Sequence, residues 1–393
     1  MANPGGTLTD LNGAAMKTDP TLTESREELR KQIESYRSLP EFVLDGVGAL
    51  ISRTKLPRNA STQEGEGFPS YWTNGIVLTV LTFLLGLGLS FLVRETLSTA
   101  ELVFTLWASA MGALSLIANK VNVRAFLNTF HGPLLERMER SVDLEDLGSW
   151  LKRNFRLSFP LIFGLLLGPA LGLALYNGWR TGHGNPTFHV GSFLTITLAC
   201  MEAMWVGYYL YPFYLMFPPQ LHRYHFDLYT PDPSSSEVVG RLSRLLTFIL
   251  YVTMGYIIQL MIGLGFFDVL SEQTIVPGFI LSLLVISPMV IMYAAGQYHL
   301  SDLITRSKWK MLNEVQTKIE KLYGGEDIPD KETLDRLSKL MDYHDRIKST
   351  PNSALNFRAS LNFLNSLLLP ILAFVFANLD KVLEVIEDVA GNP

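Results

Sequence analysis

One residue stands apart chemically. Glu202 lies in the run Leu198-Ala-Cys-Met-Glu-Ala-Met-Trp205, the one acid or base near the middle of a long apolar stretch. A charged side chain at the centre of a bilayer costs roughly 2.5–3.5 kcal/mol on insertion scales, so such residues face a cavity or a polar partner. Thr195 and Tyr209, seven residues to either side, share its helical face. Gln259, Ser287 and Asn365 fall at similar depth in other apolar stretches. A functional reading makes Glu202 part of an ion, proton or solute pathway. A structural reading makes it a protonated carboxyl, hydrogen-bonded across helices to fix their packing.

Other chemistry is weaker. Pro169, Pro288 and Pro370 interrupt three apolar stretches. Each removes a backbone donor and favours a kink, and a carbonyl freed at membrane depth can line a cavity or meet a cation. Gly164, Gly168 and Gly172 surround Pro169 and permit close helix approach. His222, His225 and Asp227 follow one stretch, and His299 and Asp302 follow another. Imidazole and carboxylate at that spacing can hold a transition metal, but they match no zinc spacing and sit among tyrosines of an interfacial belt. No phosphate-binding loop, nucleophile elbow or His-Glu-x-x-His helix occurs, so no enzyme activity and no cofactor are expected.

The elements that must position these residues are apolar helices. Of 393 residues, 48% are hydrophobic and only 18% charged, against about 25% charge in a soluble domain. Runs of about 20 apolar residues are long enough to cross a bilayer. They fall at 75–93, 101–118, 157–176, 191–211, 245–266, 276–296 and 359–378. The start, Met1-Ala-Asn-Pro-Gly-Gly, predicts no cleavable signal peptide. With the N-terminus inside, cytoplasmic segments hold 29 of the 32 lysines and arginines, and the other side holds Arg94, Arg180 and Lys381. That bias sets the direction. It is opposite to that of G-protein-coupled receptors and retinal proteins, and the last stretch carries no lysine for a retinal. The lone Cys200 forms no intrachain disulfide, and a net charge of −5 gives no sign of a nucleic-acid partner.

The expected fold is therefore all-α and polytopic, with about seven transmembrane helices, N-terminus in and C-terminus out. Its parts are a cytoplasmic tail and amphipathic helix (1–74), six spans (75–296) with a helical insertion at 119–156, a cytoplasmic hairpin (297–358), and a last span with an acidic tail (359–393). Phe42, Val43, Val47, Leu50 and Ile51 form one apolar face, suited to the membrane interface or to other helices. The segment 126–157 is expected to pack on the hairpin. In the hairpin, Leu312, Val315, Ile319 and Leu322 face Leu334, Leu337, Met341 and His344 across the Gly324-Gly325 turn.

These features point to a cell-membrane channel or transporter (of the inner membrane, if bacterial) with a pathway near Glu202 and cytoplasmic helices that gate it. The alternative is a membrane-anchored scaffold or signalling protein that binds a cytoplasmic partner. A lipid-modifying enzyme ranks lowest, for want of a nucleophile and base. Expected partners are the lipid bilayer, an ion or small solute, a cytoplasmic protein and further copies of the chain, with no nucleic acid. The charge bias makes the orientation testable. Cysteines placed singly at Gly182 and Ser271 should react with an impermeant thiol reagent on intact cells, and one at Ser235 should not. Labelling at Ser235 without permeabilisation would reverse the topology.

Overall fold

The computed structural model describes residues 20–53, 70–182, 187–221, 223–228, 232–266, 275–323 and 330–353, with Leu372, Phe376, Leu379, Asp380 and Leu383. Asn365, Pro370 and His222, the Gly324-Gly325 turn and most of the expected stretch 359–378 lie outside the described residues. Ser287 and Pro288 are described in backbone only. Every described element is helical: α1 (Pro20–Ser35), α2 (Leu39–Arg53), α3 (Ser70–Leu92), α4 (Thr99–Thr129), α5 (Ser141–Asn154), α6 (Ser158–Gly182), α7 (Val190–Tyr211), α8 (Phe217–Leu221), α9 (Glu237–Phe266), α10 (Ile275–Tyr323) and α11 (Lys331–Ser349). The chain kinks after α4, where His131 and Gly132 leave helical backbone geometry, a short π-helical turn follows α7, and an isolated antiparallel bridge joins Met138 to Phe226.

Five segments among the described residues are long and apolar enough to cross a membrane: α3, α4 with its extension to Gly132, the run Ser141–Thr181, α7, and α9 over Glu237–Gln259. They are not equivalent. In α3 and α6 large apolar side chains point outward, with Ile76 60% and Leu166 70% exposed. Apolar surface on this scale needs an apolar neighbour, which a bilayer supplies. In α4 most of the apolar window is instead buried by α2, α3, α7 and α9. This is the central helix.

Small residues bring the helices together. Gly164, Gly168 and Gly172 recur every fourth residue on α6 and lie flat against Met201 and Thr197 of α7. A Cβ at Gly168 or Gly172 would stand 2.7–2.8 Å from an α7 Cα atom. This is small-xxx-small packing, in which missing side chains let two backbones approach. α6 stays helical through Pro169.

The polar helices dock on one end of this bundle. α2 begins with Pro40 in its first turn, where a missing N–H is harmless. It is tied to three spans: Asn74 Nδ2 donates to Leu44 O (3.0 Å), Lys120 pairs with Asp45 (2.9 Å), and Leu39 N donates to the Tyr209 hydroxyl (3.0 Å). Glu41, fully buried, pairs with Arg124 and accepts from Ser38 N at 3.0 Å. The apolar face expected on α2 is split by this docking, because Leu44 is buried while Phe42 and Leu50 remain exposed. α5 packs on α1, not chiefly on the hairpin as expected. Leu29 and Ile33 join Leu144, Leu147 and Leu151 in one core, and Tyr36 stacks on Phe155 at 5.3 Å.

α10 runs unbroken from the expected sixth span into the hairpin, roughly 74 Å at 1.5 Å per residue. α11 returns antiparallel along it. Asp330 caps its start by accepting from Thr333 N (2.9 Å), and hydrogen bonds from the Thr333 side chain and backbone hold its carboxyl below the usual range. The register differs from the expected one. Met311, Leu312, Val315 and Ile319 meet Leu340, Tyr343 and Ile347, whereas Leu334 is 48% and Met341 53% exposed. The cause is at the far end, where the buried Lys308 ammonium donates to Lys348 O (2.8 Å), Thr350 O (2.7 Å) and Asn352 Oδ1 (2.8 Å). A cation on the last carbonyls of a helix satisfies them and complements its dipole, and here it fixes which face turns inward. Lys308→Met should free that end, hydrogen bonds to a charged group being worth about 1.5–3 kcal/mol. By hydrogen exchange, α11 amides should lose protection at least tenfold while α4 amides hold theirs; unchanged α11 protection would show that Lys308 does not set the register.

Candidate functional site

α4 opens with a reciprocal cap. The Ser98 hydroxyl accepts from Glu101 N (3.3 Å), and the Glu101 carboxylate accepts from Ser98 N (2.7 Å). From there a stripe of polar and small residues descends one face at steps of three and four: Glu101, Thr105, Ser109, Gly112, Ser115, Asn119 and Asn122. All seven are buried. The stripe covers 21 residues of rise, about 32 Å, which matches the hydrocarbon thickness of a bilayer. The hydroxyls turn back on their own helix, Thr105 to Glu101 O (2.7 Å), Ser109 to Thr105 O (2.9 Å) and Ser115 to Gly112 O (2.7 Å). Thr105 also reaches Ser192 of α7 at 2.9 Å. The side-chain carbonyl oxygens of Asn119 and Asn122 have no partner among the described residues. A buried acceptor left unpaired costs about 1–3 kcal/mol, a cost that a bound water removes.

Glu202 meets this stripe half-way along. Its carboxylate lies directly on Gly112, where a Cβ would overlap it, and Ala199 Cα is 3.1 Å from that same position. Tyr256 of α9 is within electrostatic reach. Glu202 as a residue is half-buried, and among the described residues no hydrogen bond or ion pair reaches its carboxylate. The cross-helix hydrogen bond that the structural reading requires is therefore not made by α3, α4, α7 or the described side chains of α9.

At the other end of the stripe is a buried acid–imidazole cluster. Arg94 takes a left-handed φ of 61° and ends α3, with Glu95 N bonded back to Ser90 O (2.9 Å). This turn delivers Glu95 to the start of α7, where its Oε1 accepts from Val190 N (2.8 Å). His189 stands between two carboxylates: Nε2 is 2.7 Å from Glu101 Oε1, and Nδ1 is 3.8 Å from Glu95 Oε2. Thr187 Oγ1 lies 2.8 Å from Nε2, and His189 N donates to the Tyr176 hydroxyl (2.6 Å).

The residues singled out from the sequence are not gathered in one place. Thr195 is buried against Gly86 of α3 and donates to Gly191 O (3.0 Å), so it faces α3 where Glu202 faces α4. Tyr209 holds α2. Gln259 is half-buried on α9. His225 is held by Asp143 through its backbone N (2.8 Å) and Nδ1 (3.2 Å), and Asp227 pairs with Arg137 (3.1 Å). Asp302 pairs with Arg306 (3.2 Å) one turn after His299 on α10. Among the described residues no three histidine, cysteine or acidic side chains come together to hold a metal. The α4 stripe and the His189 cluster were missed from sequence. The signals for them are the Ser98-x-x-Glu101 pattern and the spacing of small polar residues after it.

No family model, curated protein or solved structure matches the chain.

The cluster yields a stability expectation. His189→Ala strips a buried partner from Glu101 and from Thr187, which should cost about 1–3 kcal/mol and lower the thermal midpoint of the purified protein. An unaltered midpoint would mean that these contacts do not hold α4 to α7.

Proposed function

We propose that the protein is a membrane channel or transporter in which an ion or small polar solute follows the polar face of α4 past Glu202. One observation carries this reading. A mid-span carboxylate packs on a glycine with no hydrogen bond from the described residues, half-way along a buried polar stripe about as long as a bilayer is thick. A carboxylate in hydrocarbon must be neutralised, hydrated or matched by a cation, and the last two place water or an ion beside α4. The unpaired oxygens of Asn119 and Asn122 supply further acceptors on the same side.

The regulatory part of the proposal rests on continuity. α10 extends from the expected sixth span into the hairpin as one helix, and α2 is clamped to α4 by the Glu41–Arg124 and Asp45–Lys120 pairs. Motion of the polar helices would thus be felt by the spans, on the side that the charge bias makes cytoplasmic. The second reading, a membrane-anchored scaffold, draws on the exposed Leu334, Met341, Trp309 and Tyr323 of the hairpin, which would suit a protein partner.

Flux separates them. In proteoliposomes the wild type should carry protons or monovalent cations. Glu202→Gln, which keeps the shape and removes the charge, should alter rate, selectivity or pH response. Gly112→Ala, which pushes a methyl group into the carboxylate, should lower flux as well. Equal nonzero flux for wild type and Glu202→Gln at several pH values would remove Glu202 from the mechanism. A wild type silent under every condition would favour the scaffold.

A further inference from the structure

A groove of about 400 Å³ lies between the last turns of α4 and the first turns of α9, lined by Asn128 and Thr129 on one side and by Arg241, Arg244, Leu245 and Phe248 on the other. We propose that it binds the head group of an anionic phospholipid, with an acyl chain along α9. This inference needs the chain to be a membrane protein but does not depend on transport.

Arg241, Arg244, Phe248 and Tyr251 recur at steps of three, four and three, so they share one stripe of α9. Two guanidinium groups stand at its start and two half-exposed aromatic rings follow, Phe248 and Tyr251 each 42% exposed. That order, cation then apolar ring, is the order of a lipid molecule from phosphate to acyl chain, and basic pockets between spans on the cytoplasmic side suit anionic head groups. The two arginines differ in commitment. Arg241 gives Nε (3.0 Å) and a terminal nitrogen (2.8 Å) to Glu237, and its other end rests on Gly132. Arg244 makes one bond, Nε to Gly240 O at 3.2 Å, and no acid pairs with it among the described residues. No acid lines the groove, and Asn128 beside it is exposed. An uncommitted guanidinium opposite an amide is a fit for a phosphate diester, which Arg engages through two parallel N–H donors. The apolar half selects a lipid over a free anion.

The full chain, purified in a neutral detergent, is tested with dioleoylphosphatidylglycerol, with dioleoylphosphatidylcholine, or with inorganic phosphate at matched concentration. Phosphatidylglycerol should raise the thermal midpoint by on the order of 3–5 °C, and the other two by less than about 1 °C on the same scale. Arg244→Gln should lose most of that shift relative to its own lipid-free midpoint. Arg153→Gln, an exposed arginine on α5, should keep it. Native mass spectrometry of the wild type with equimolar lipids should retain a phosphatidylglycerol adduct in preference, a measurement that does not need the variant to fold. Equal shifts with phosphatidylcholine, a full shift in Arg244→Gln, or equal loss in Arg153→Gln would each overturn the site. A shift reproduced by inorganic phosphate would make it a free-anion site and contradict the lipid.

Discussion

Polar groups cannot be left facing hydrocarbon, and the arrangement of this bundle follows from where that rule bites. α4 carries Glu101, Thr105, Ser109, Ser115, Asn119 and Asn122 on one face, all buried. In lipid each unsatisfied group would cost several kcal/mol. A helix with such a face must be wrapped by others. α2, α3, α7 and α9 do the wrapping, while α3 and α6 turn Ile, Val, Leu and Phe side chains to the outside of the bundle. Glycines set how close the wrapping can come. Gly112 of α4, Gly86 of α3 and Gly191 of α7 each sit where a Cβ would strike a neighbouring helix. The same closeness puts Glu202 against the α4 backbone rather than against a side chain that could bond it.

Several features were readable from the residues. Apolar run length locates α3, α4, α6, α7 and α9, because a helix in apolar surroundings has no alternative way to satisfy its backbone, but it misses the polar turns by which α4 runs on to Thr129 and α9 begins at Glu237. Glu202, the α6 glycines and the continuity of α10 with the hairpin were visible for similar local reasons. What escaped was non-local or degenerate. Small hydroxyl residues in α4 look like ordinary membrane-helix filler, since each can bond its own helix, and only their common face makes them a stripe. On α11, mean polarity is high and two adjacent faces both carry apolar residues. The choice between Met341 and Leu340 with Tyr343 fell to Lys308, 40 residues from Lys348, to whose carbonyl it donates. His189 and Glu101 are separated by 88 positions and meet only because α4 and α7 pack side by side. His225 and Asp227, adjacent in sequence to an interfacial belt of tyrosines, secure a loop to residues 137–143 through partners more than 80 positions away.

The molecule thus has two polarities joined by few but specific contacts. Aromatic rings fill the junction: Phe126 stacks on Phe213 at 4.2 Å, and Phe130, Trp150 and Phe217 close around it. On α4 the ion-paired Lys120 and Arg124 alternate with the stripe residues Asn119 and Asn122, all on the side of the plug nearer the start of the helix. A route along α4 would end at this plug unless the rings move. That agrees with the proposed role of α2 and α10 in gating, since α2 is ion-paired to α4 beside it.

Central to this account is the hydration of the α4 stripe. With Cys200 replaced by alanine, single cysteines from Thr105 to Asn122 are exposed in proteoliposomes to a small, charged methanethiosulfonate reagent. A wet stripe predicts reactivity that peaks at 105, 109, 112, 115, 119 and 122 with helical period, and none at the outward position Leu84 of α3. A dry stripe, with all α4 positions as inert as Leu84, would contradict the account and leave Glu202 as a neutral carboxyl in packing.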